Sequence, residues 1–595
     1  MPFPLRNPLK PQSPAGLGHE AVLETGESKL PQPNVEPAKD SNLAHEQLDG
    51  RSPDPGAQGG VKKVEAITLT WTRPELVVAY VSFFLLYFVN AFQASITANL
   101  TAYVLSGFES HSLIPVIYIV SNVMSAATYL PLAKILDLWG RAQGFFAMAS
   151  LATMGLILMA TTSNVQTFCA AQVFYSIGFT GMIFSIDVMT ADSSKLRHRG
   201  LAFAFTSSPY IITALAGPKA AEGFYENISW RWAFGCFSII LPFVATPLFL
   251  LLLRNERKAK KNGLLVKEKS GRTLVESVWH YVIEFDGIGV FLLAAGLVIF
   301  LLPFSLADYT AESWKRASTI SMLVIGFLLL LTFVIHERFF ASKPFIPYRL
   351  LISRTILGTC ILDSTYQIAY YCWGSYFSSY LQVVNNLTIT QAGWVTGIFD
   401  IIAGLWLIFV GFLMMRTGRF KWLLLSAVPL YMLGVGLLIY FRRPHTNIGY
   451  IIMCQIFLAF SGSTMILCMQ VSVMSVAEHG DIAAVLAILG LFGYIGGAIG
   501  NSISGAIWTN TLPVQLQKLL PESCSADWET IYNDLTVQLS YPMDDPCREA
   551  IMQSYGAAQR RMLIAGTSIM SIAVVCVFLI KNVKIDRQQM KGVLF

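Results

Sequence analysis

Hydrophobic and polar positions alternate along this chain in long blocks. Fourteen apolar runs stand out, at 75–102, 112–133, 144–162, 166–189, 200–219, 231–253, 286–306, 318–337, 355–383, 392–415, 422–441, 448–473, 484–509 and 558–581. Each is close to or above the roughly 20 residues that a helix needs to cross a bilayer. With no water in the hydrocarbon, a spanning segment must satisfy its own backbone N–H and C=O groups, so every run is predicted to be helical. Residues 1–70 contain ten of the 26 prolines and no apolar run, and are expected to be a disordered tail.

Positive charge orients these helices. The loop after the sixth run carries Arg254, Arg257, Lys258, Lys260, Lys261, Lys267, Lys269 and Arg272. Loops after the second, fourth, eighth and tenth runs are basic too, including Lys195, Arg197, His198 and Arg199. All follow even-numbered runs, which places them and both termini in the cytosol. Lys315-Arg316 and Arg442-Arg443 run against the pattern. The expected order is a cytosolic tail (1–70), a six-helix bundle (75–253), a basic cytosolic loop (254–285) and two extra helices (286–337). A second bundle (355–509), an outer loop (510–557), a last helix (558–581) and a cytosolic tail (582–595) follow.

Composition agrees with a membrane protein. The 595 residues are 54% hydrophobic and 13% charged, against about 25% charged in soluble proteins. The net charge of +6 sits in short loops, so nucleic acid is not an expected partner. No nucleophile–base arrangement, phosphate loop or metal-ligand spacing is evident; an enzyme is not expected, nor a resident metal or cofactor. Seven of nine cysteines lie in apolar runs. The other two, Cys524 and Cys547, share the acidic, aromatic outer loop, where an oxidising exterior would permit a disulfide. Asn227-Ile-Ser and Asn386-Leu-Thr fall on outer loops as glycosylation sequons.

Two motifs suggest moving parts. Asp137, Gly140 and Arg141, in AKILDLWGR, resemble the loop pattern G-x-L-x-D-x-x-G-R-R/K of the major facilitator superfamily, with Ala133 and Ala142 as departures. A carboxylate near a helix N-terminus with an Arg to pair would serve as a latch. Gly217-Pro218 resembles the Gly-Pro motif of proton-coupled facilitators: Gly allows close helix approach and Pro is expected to kink the fifth run. With Trp230-Arg231-Trp232 opening the sixth run, the chain resembles the fourteen-helix branch. Phe174 stands where that superfamily's fourth-helix Arg is expected, so no proton role carries over there.

Longer segments are similar to fungal siderophore-iron transporters: TADSSKLRHRGLAFAFTSSPYIITALAGPKAAEGFY, WRWAFG, LDSTYQIAYYCWGSYFSSYLQVV and the outer loop ending at Tyr555-Gly556. The resemblance covers about residues 75–581. It implies an all-α polytopic major facilitator fold of 14 spans, in a 12+2 arrangement, working as a monomer in the plasma membrane and cycling through endosomes. It also implies proton-coupled import of ferric siderophores, with iron and protons as cargo and coupling ion. A ferric trihydroxamate is bulky and shields its iron, so it calls for an aromatic, hydrogen-bonding cavity rather than metal ligands. The ninth run offers Tyr366, Gln367, Tyr370, Tyr371, Trp373, Tyr376 and Phe377, and the loop adds Tyr555. Buried carboxylates are costly in a membrane, so Asp363, Asp400 and Asp187 are the candidates for proton coupling, with Asp187 nearest the inner end of its helix. Rival readings are a drug or toxin antiporter, a glutathione–proton exchanger using Lys219, and a transporter-like sensor.

Overall fold

In a computed structural model, the residues described are 71–584 apart from 196–197, 263–272, 308–309, 343–345, 347 and 478–480. The N-terminal tail, Arg197, most of the basic loop's second part and the last residues of the C-terminal tail lie outside them.

The first bundle contains α1 (Arg73–Ser106), α2 (Ile114–Leu138), α3 (Arg141–Thr161), α4 (Val165–Asp192), α5 (Arg199–Ser207), α6 (Tyr210–Gly223) and α7 (Trp230–Lys261). A short helix, α8 (Leu274–Glu284), precedes the accessory pair α9 (Gly287–Leu301) and α10 (Ala317–Ile335). The second bundle holds α11 (Arg354–Gly374), α12 (Phe377–Asn385), α13 (Ile389–Thr417), α14 (Lys421–Phe441), α15 (Ile448–Ser475) and α16 (Ile482–Leu519). The connection 520–545 carries two short helices, α17 (Trp528–Asn533) and α18 (Leu535–Ser540), and is called the lid for its place at one end; α19 (Pro546–Leu579) completes the bundle.

Among the described residues, thirteen helical segments are long and apolar enough to cross a membrane. The ninth run is not among them. Its helix α11 has 21 residues but carries Asp363 and Gln367, and a break at Ser375–Tyr376 separates it from α12. Local chemistry accounts for the helix ends. Thr72 with Glu75, and Thr388 with Gln391, form capping boxes that satisfy the first N–H groups of α1 and α13. Gly418 ends α13 at φ +63°, a conformation that glycine adopts without a Cβ clash.

Two boundaries differ from the apolar runs. The fifth run breaks at Ser208–Pro209 between α5 and α6, while Pro218 sits within α6. Pro209 has no N–H to donate back along the run. The predicted outer loop is also shorter than expected, because α16 continues to Leu519 and α19 begins at Pro546.

The bundles meet along two helix pairs, α2 with α16, and α5–α6 with α13. Both seams depend on small residues. A Cβ on Gly393 would lie 2.4 Å from Pro218 Cβ, and one on Gly404 would lie 2.1 Å from Ile211 Cγ1. On the other seam, a Cβ on Gly490 would lie 2.5 Å from the Tyr129 ring. Backbones approach this closely because no side chain intervenes.

Candidate functional site

A cavity of about 210 Å³ lies between the bundles, lined from the first by Tyr129, Phe184 and Asp187. The second contributes Asp363, Gln367, Tyr371, Gln470 and Tyr494, with apolar residues of α15 and α16. The glycine-rich face of α16 makes room for the polar groups. A Cβ on Gly493 would stand 2.5 Å from Asp363 Oδ2, and one on Gly500 would lie 3.0 Å from Tyr371 Cβ. Tyr129 packs edge-on against Phe184 at 4.9 Å and meets Tyr494 across the bundle boundary at 5.5 Å between centroids.

Two of the three candidate carboxylates therefore share one cavity. Asp363 is buried, with Gln367 one turn away on the same helix. Asp187 accepts a hydrogen bond from the Tyr87 hydroxyl of α1. Five residues before the end of α4 at Asp192, it faces the space between the bundles. Asp400, on α13, lies outside that lining, within electrostatic reach of Tyr210 and Tyr370.

The aromatic residues of the ninth run separate into groups. Gln367 and Tyr371 face the cavity. Tyr370 packs edge-on against Tyr371 at 5.2 Å, and Tyr366 against Tyr431 at 5.2 Å. Trp373 and Phe377 turn instead towards Arg442, whose guanidinium carbon stands 4.6 and 4.1 Å from their ring centroids. Arg442 is fully buried and donates to Gln559 at 2.8 Å. That explains one exception to the charge pattern, since this Arg is packed among rings rather than presented in a loop. Tyr376 stacks on Trp508 at 3.7 Å and donates to the Ser112 carbonyl at 2.9 Å. Tyr555 donates to Gln538 of the lid at 2.6 Å. Both are fully buried in the packing beneath the lid, away from the cavity wall. The break at Ser375–Tyr376 does not divide these roles, since Trp373 before it and Phe377 after it meet the same Arg442.

A disulfide joins Cys524 and Cys547 across the lid. Arg548, one of the loop's two cations, is buried and donates to the carbonyls of Val383 at 3.0 Å and Gln538 at 2.5 Å. It ties the lid to α12. The lid also reaches the first bundle, where Leu535 N donates to Ser106 Oγ at 3.0 Å. Asn227 and Asn386 are exposed at this same end, because Glu222 and Thr390 beside them are joined at 2.7 Å.

At the opposite end, Arg141 binds Asp137 at 2.8 Å and Asp192 at 3.1 Å. Asp192 is a partner that the motif alone did not reveal. Gly140, at φ +115°, supplies the turn between α2 and α3 that presents Arg141 to both carboxylates. Gly217 and Pro218 occupy the other seam. A Cβ on Gly217 would fall 2.2 Å from Ser95 Oγ of α1, while Pro218 faces Gly393. Together they act as a packing surface between α1 and α13, and the bend in this run lies at Pro209.

The profile of the Major Facilitator Superfamily matches residues 83–362. The chain is 58% identical over 589 residues to "MFS siderochrome iron transporter D" of Aspergillus fumigatus, covering 98% of each chain. It is 48% identical over 559 residues to "Siderophore iron transporter mirB" of Emericella nidulans, covering 94% of this chain and 92% of the other. Among solved structures, a bacterial homologue of the human lysosomal transporter Spinster, in its inward-facing and unoccupied conformation, aligns with a TM-score of 0.53 at 13% identity. That alignment covers 86% of this chain and 98% of that one, a likeness of fold.

Proposed function

Since the chain belongs to the siderophore-iron transporter family of the major facilitator superfamily, we propose that it imports ferric siderophores, of hydroxamate type, across the plasma membrane. Import is driven by protons and proceeds by alternating access. The observation that carries this reading is the cavity holding Asp187 and Asp363 among tyrosines and amides at the junction of the bundles. Tyr and Gln side chains can hydrogen-bond the oxygens of a shielded iron complex, and a carboxylate that gains and loses a proton during the cycle can couple its movement to the gradient.

At about 210 Å³ the cavity is smaller than the roughly 300–1,000 Å³ typical of ligand pockets, so a bulky complex enters only once the bundles part. The lid, the two sequons and the disulfide lie at one end, which this reading places outside the cell. The Arg141 network then faces the cytosol.

Radiolabelled ferric siderophores, presented singly and in competition to an iron-starved, uptake-deficient host, test the proposal. Expression should produce accumulation that increases as the exterior is acidified. Asp363→Asn should remove most of the acid-driven part at unchanged surface abundance. Exclusion of the label would favour an exporter; binding without accumulation would favour a sensor. A glutathione exchanger gains no support here, because Lys219 is 70% exposed and paired with Glu222 at 2.8 Å, outside the cavity.

A further inference from the structure

Helix α8 has no evident place in a transport cycle, yet it is well formed. Thr273 and Glu276 close a capping box at its start, with Thr273 N donating to Glu276 at 3.0 Å. Its 11 residues extend ~16 Å, about half the thickness of the hydrocarbon core. It therefore cannot span. The chain changes direction at Asp286, in the left-handed region at φ +48°, before α9 begins.

The helix has two edges at four-residue spacing. Glu276, His280 and Glu284 form a polar edge. Val275, Trp279 and Ile283 form an apolar edge and are 80, 62 and 40% exposed. Residues on the far side of α8 hold the α2–α3 turn of the candidate latch, the gate turn. Tyr281 meets Trp139 edge-on at 5.3 Å and stacks on Phe285, which meets Trp139 at 5.9 Å. Lys134 Nζ donates to the Glu284 carbonyl at 3.0 Å. Trp139 lies between Asp137 and Arg141, so α8 is clamped to the segment that carries the charge network.

Beyond the turn, α9 also presents exposed apolar residues, Ile288 at 51% and Phe291 at 66%. At this same end of the bundle Lys258 and Lys260 pair with Glu75 at 3.7 Å and Glu256 at 2.8 Å, and Lys261 ends α7 beside them. An exposed Trp within a short amphipathic helix, next to spanning helices and cations, matches the chemistry of the headgroup–acyl boundary. We propose that α8 lies in the membrane interface at the Arg141 end, with Val275, Trp279 and Ile283 in phospholipid. Through Tyr281 and Phe285 it holds Trp139, and with it the Asp137–Arg141 turn, at a set depth in that leaflet.

Spin labels on the full-length protein, reconstituted in phosphatidylcholine–phosphatidylserine vesicles with Cys169 and Cys236 replaced by Ala, test both parts. A label at Trp279→Cys should be more accessible to oxygen than to a water-soluble nickel chelate, and one at His280→Cys the reverse. Nickel accessibility at 279 equal to that at 280 would overturn the proposal, as would a site shielded from both probes because this chain or a second copy covers it. For the second part, a label at Leu138→Cys should gain mobility with Tyr281→Ala and not with Trp279→Phe. Unchanged mobility in Tyr281→Ala would break the link between α8 and the gate turn. None of these readouts requires transport, so they stand or fall separately from the cargo assignment.

Discussion

The two ends of the molecule are held together in different ways. At the lid end, hydrogen bonds cross from one bundle to the other. Thr390 donates to Glu222 at 2.7 Å, His111 meets Ser379 at 2.9 Å, Trp394 donates to the Leu215 carbonyl at 3.0 Å, and Tyr103 donates to Gln382. At the opposite end, among the described residues, the ion pairs named do not cross between the bundles. Arg141 serves Asp137 and Asp192 of the first, and Arg349 serves Asp481 of the second at 2.6 Å. Among the described residues, the contacts that cross there are weaker: the Arg199 guanidinium lies 3.7 Å from the Met474 sulfur, and Gly200 packs against Gly411. The structure is thus closed beneath the lid by contacts that must break for cargo to enter there. The other end can part while Arg141, largely buried, and Arg349, 66% exposed, both keep their partners. That distinction matters because separating a buried ion pair costs more than breaking a single hydrogen bond.

Several substitutions would break or sharpen this contrast. The largest effect is expected from Arg141→Gln, which leaves Asp137 and Asp192 without their cation. Loss of a buried partner costs about 3–5 kcal/mol. Thermal unfolding in detergent should fall clearly, and wild-type stability would show that the network is dispensable. Next is Glu222→Gln, which weakens the bond to Thr390 across the lid-end boundary. A hydrogen bond to a charged group contributes about 1.5–3 kcal/mol, enough for a roughly tenfold shift towards an open lid end. Thiol labelling at Ser379→Cys should accelerate accordingly; an unchanged rate would mean that this bond does not hold the end shut.

A smaller and more local effect is expected from Cys524→Ser with Cys547→Ser. Closing a loop of this size stabilises by about 2–4 kcal/mol, here confined to the lid. Limited proteolysis should cut between 520 and 546 sooner while the helical body stays resistant. Equal protection would show that Arg548 and Tyr555 suffice. The mildest changes are Asn227→Gln and Asn386→Gln. Each should remove one glycan from the protein expressed in a secretory host, with little effect on folding. Persistence of the glycosylated mass would remove the sequons as markers of the lid end's side.

Sequence and tertiary structure contributed different things. The blocks of apolar residues determined that the chain is an all-helical membrane protein, because a helix in lipid must satisfy its own backbone whatever its neighbours are. The long segments shared with siderophore-iron transporters likewise identified the family, which the relatives' identities establish. The Asp137–Gly140–Arg141 motif was legible because its partners are four residues or fewer apart. Asp192 was not, since the fold brings it to Arg141 from 51 residues away. The sequence placed Tyr366, Tyr370, Trp373 and Phe377 in one run, but could not say what each of them meets. Only the packing decided that Trp373 and Phe377 surround Arg442, while Tyr371 and Gln367 turn to the cavity. The pairing of Asp187 with Asp363 around one space also belongs to the tertiary structure. They are far apart in sequence, and the glycines of α16 decide which groups may stand between the bundles. Local patterns reveal what each segment must do with its own backbone; which side chains meet depends on how closely the helices approach one another.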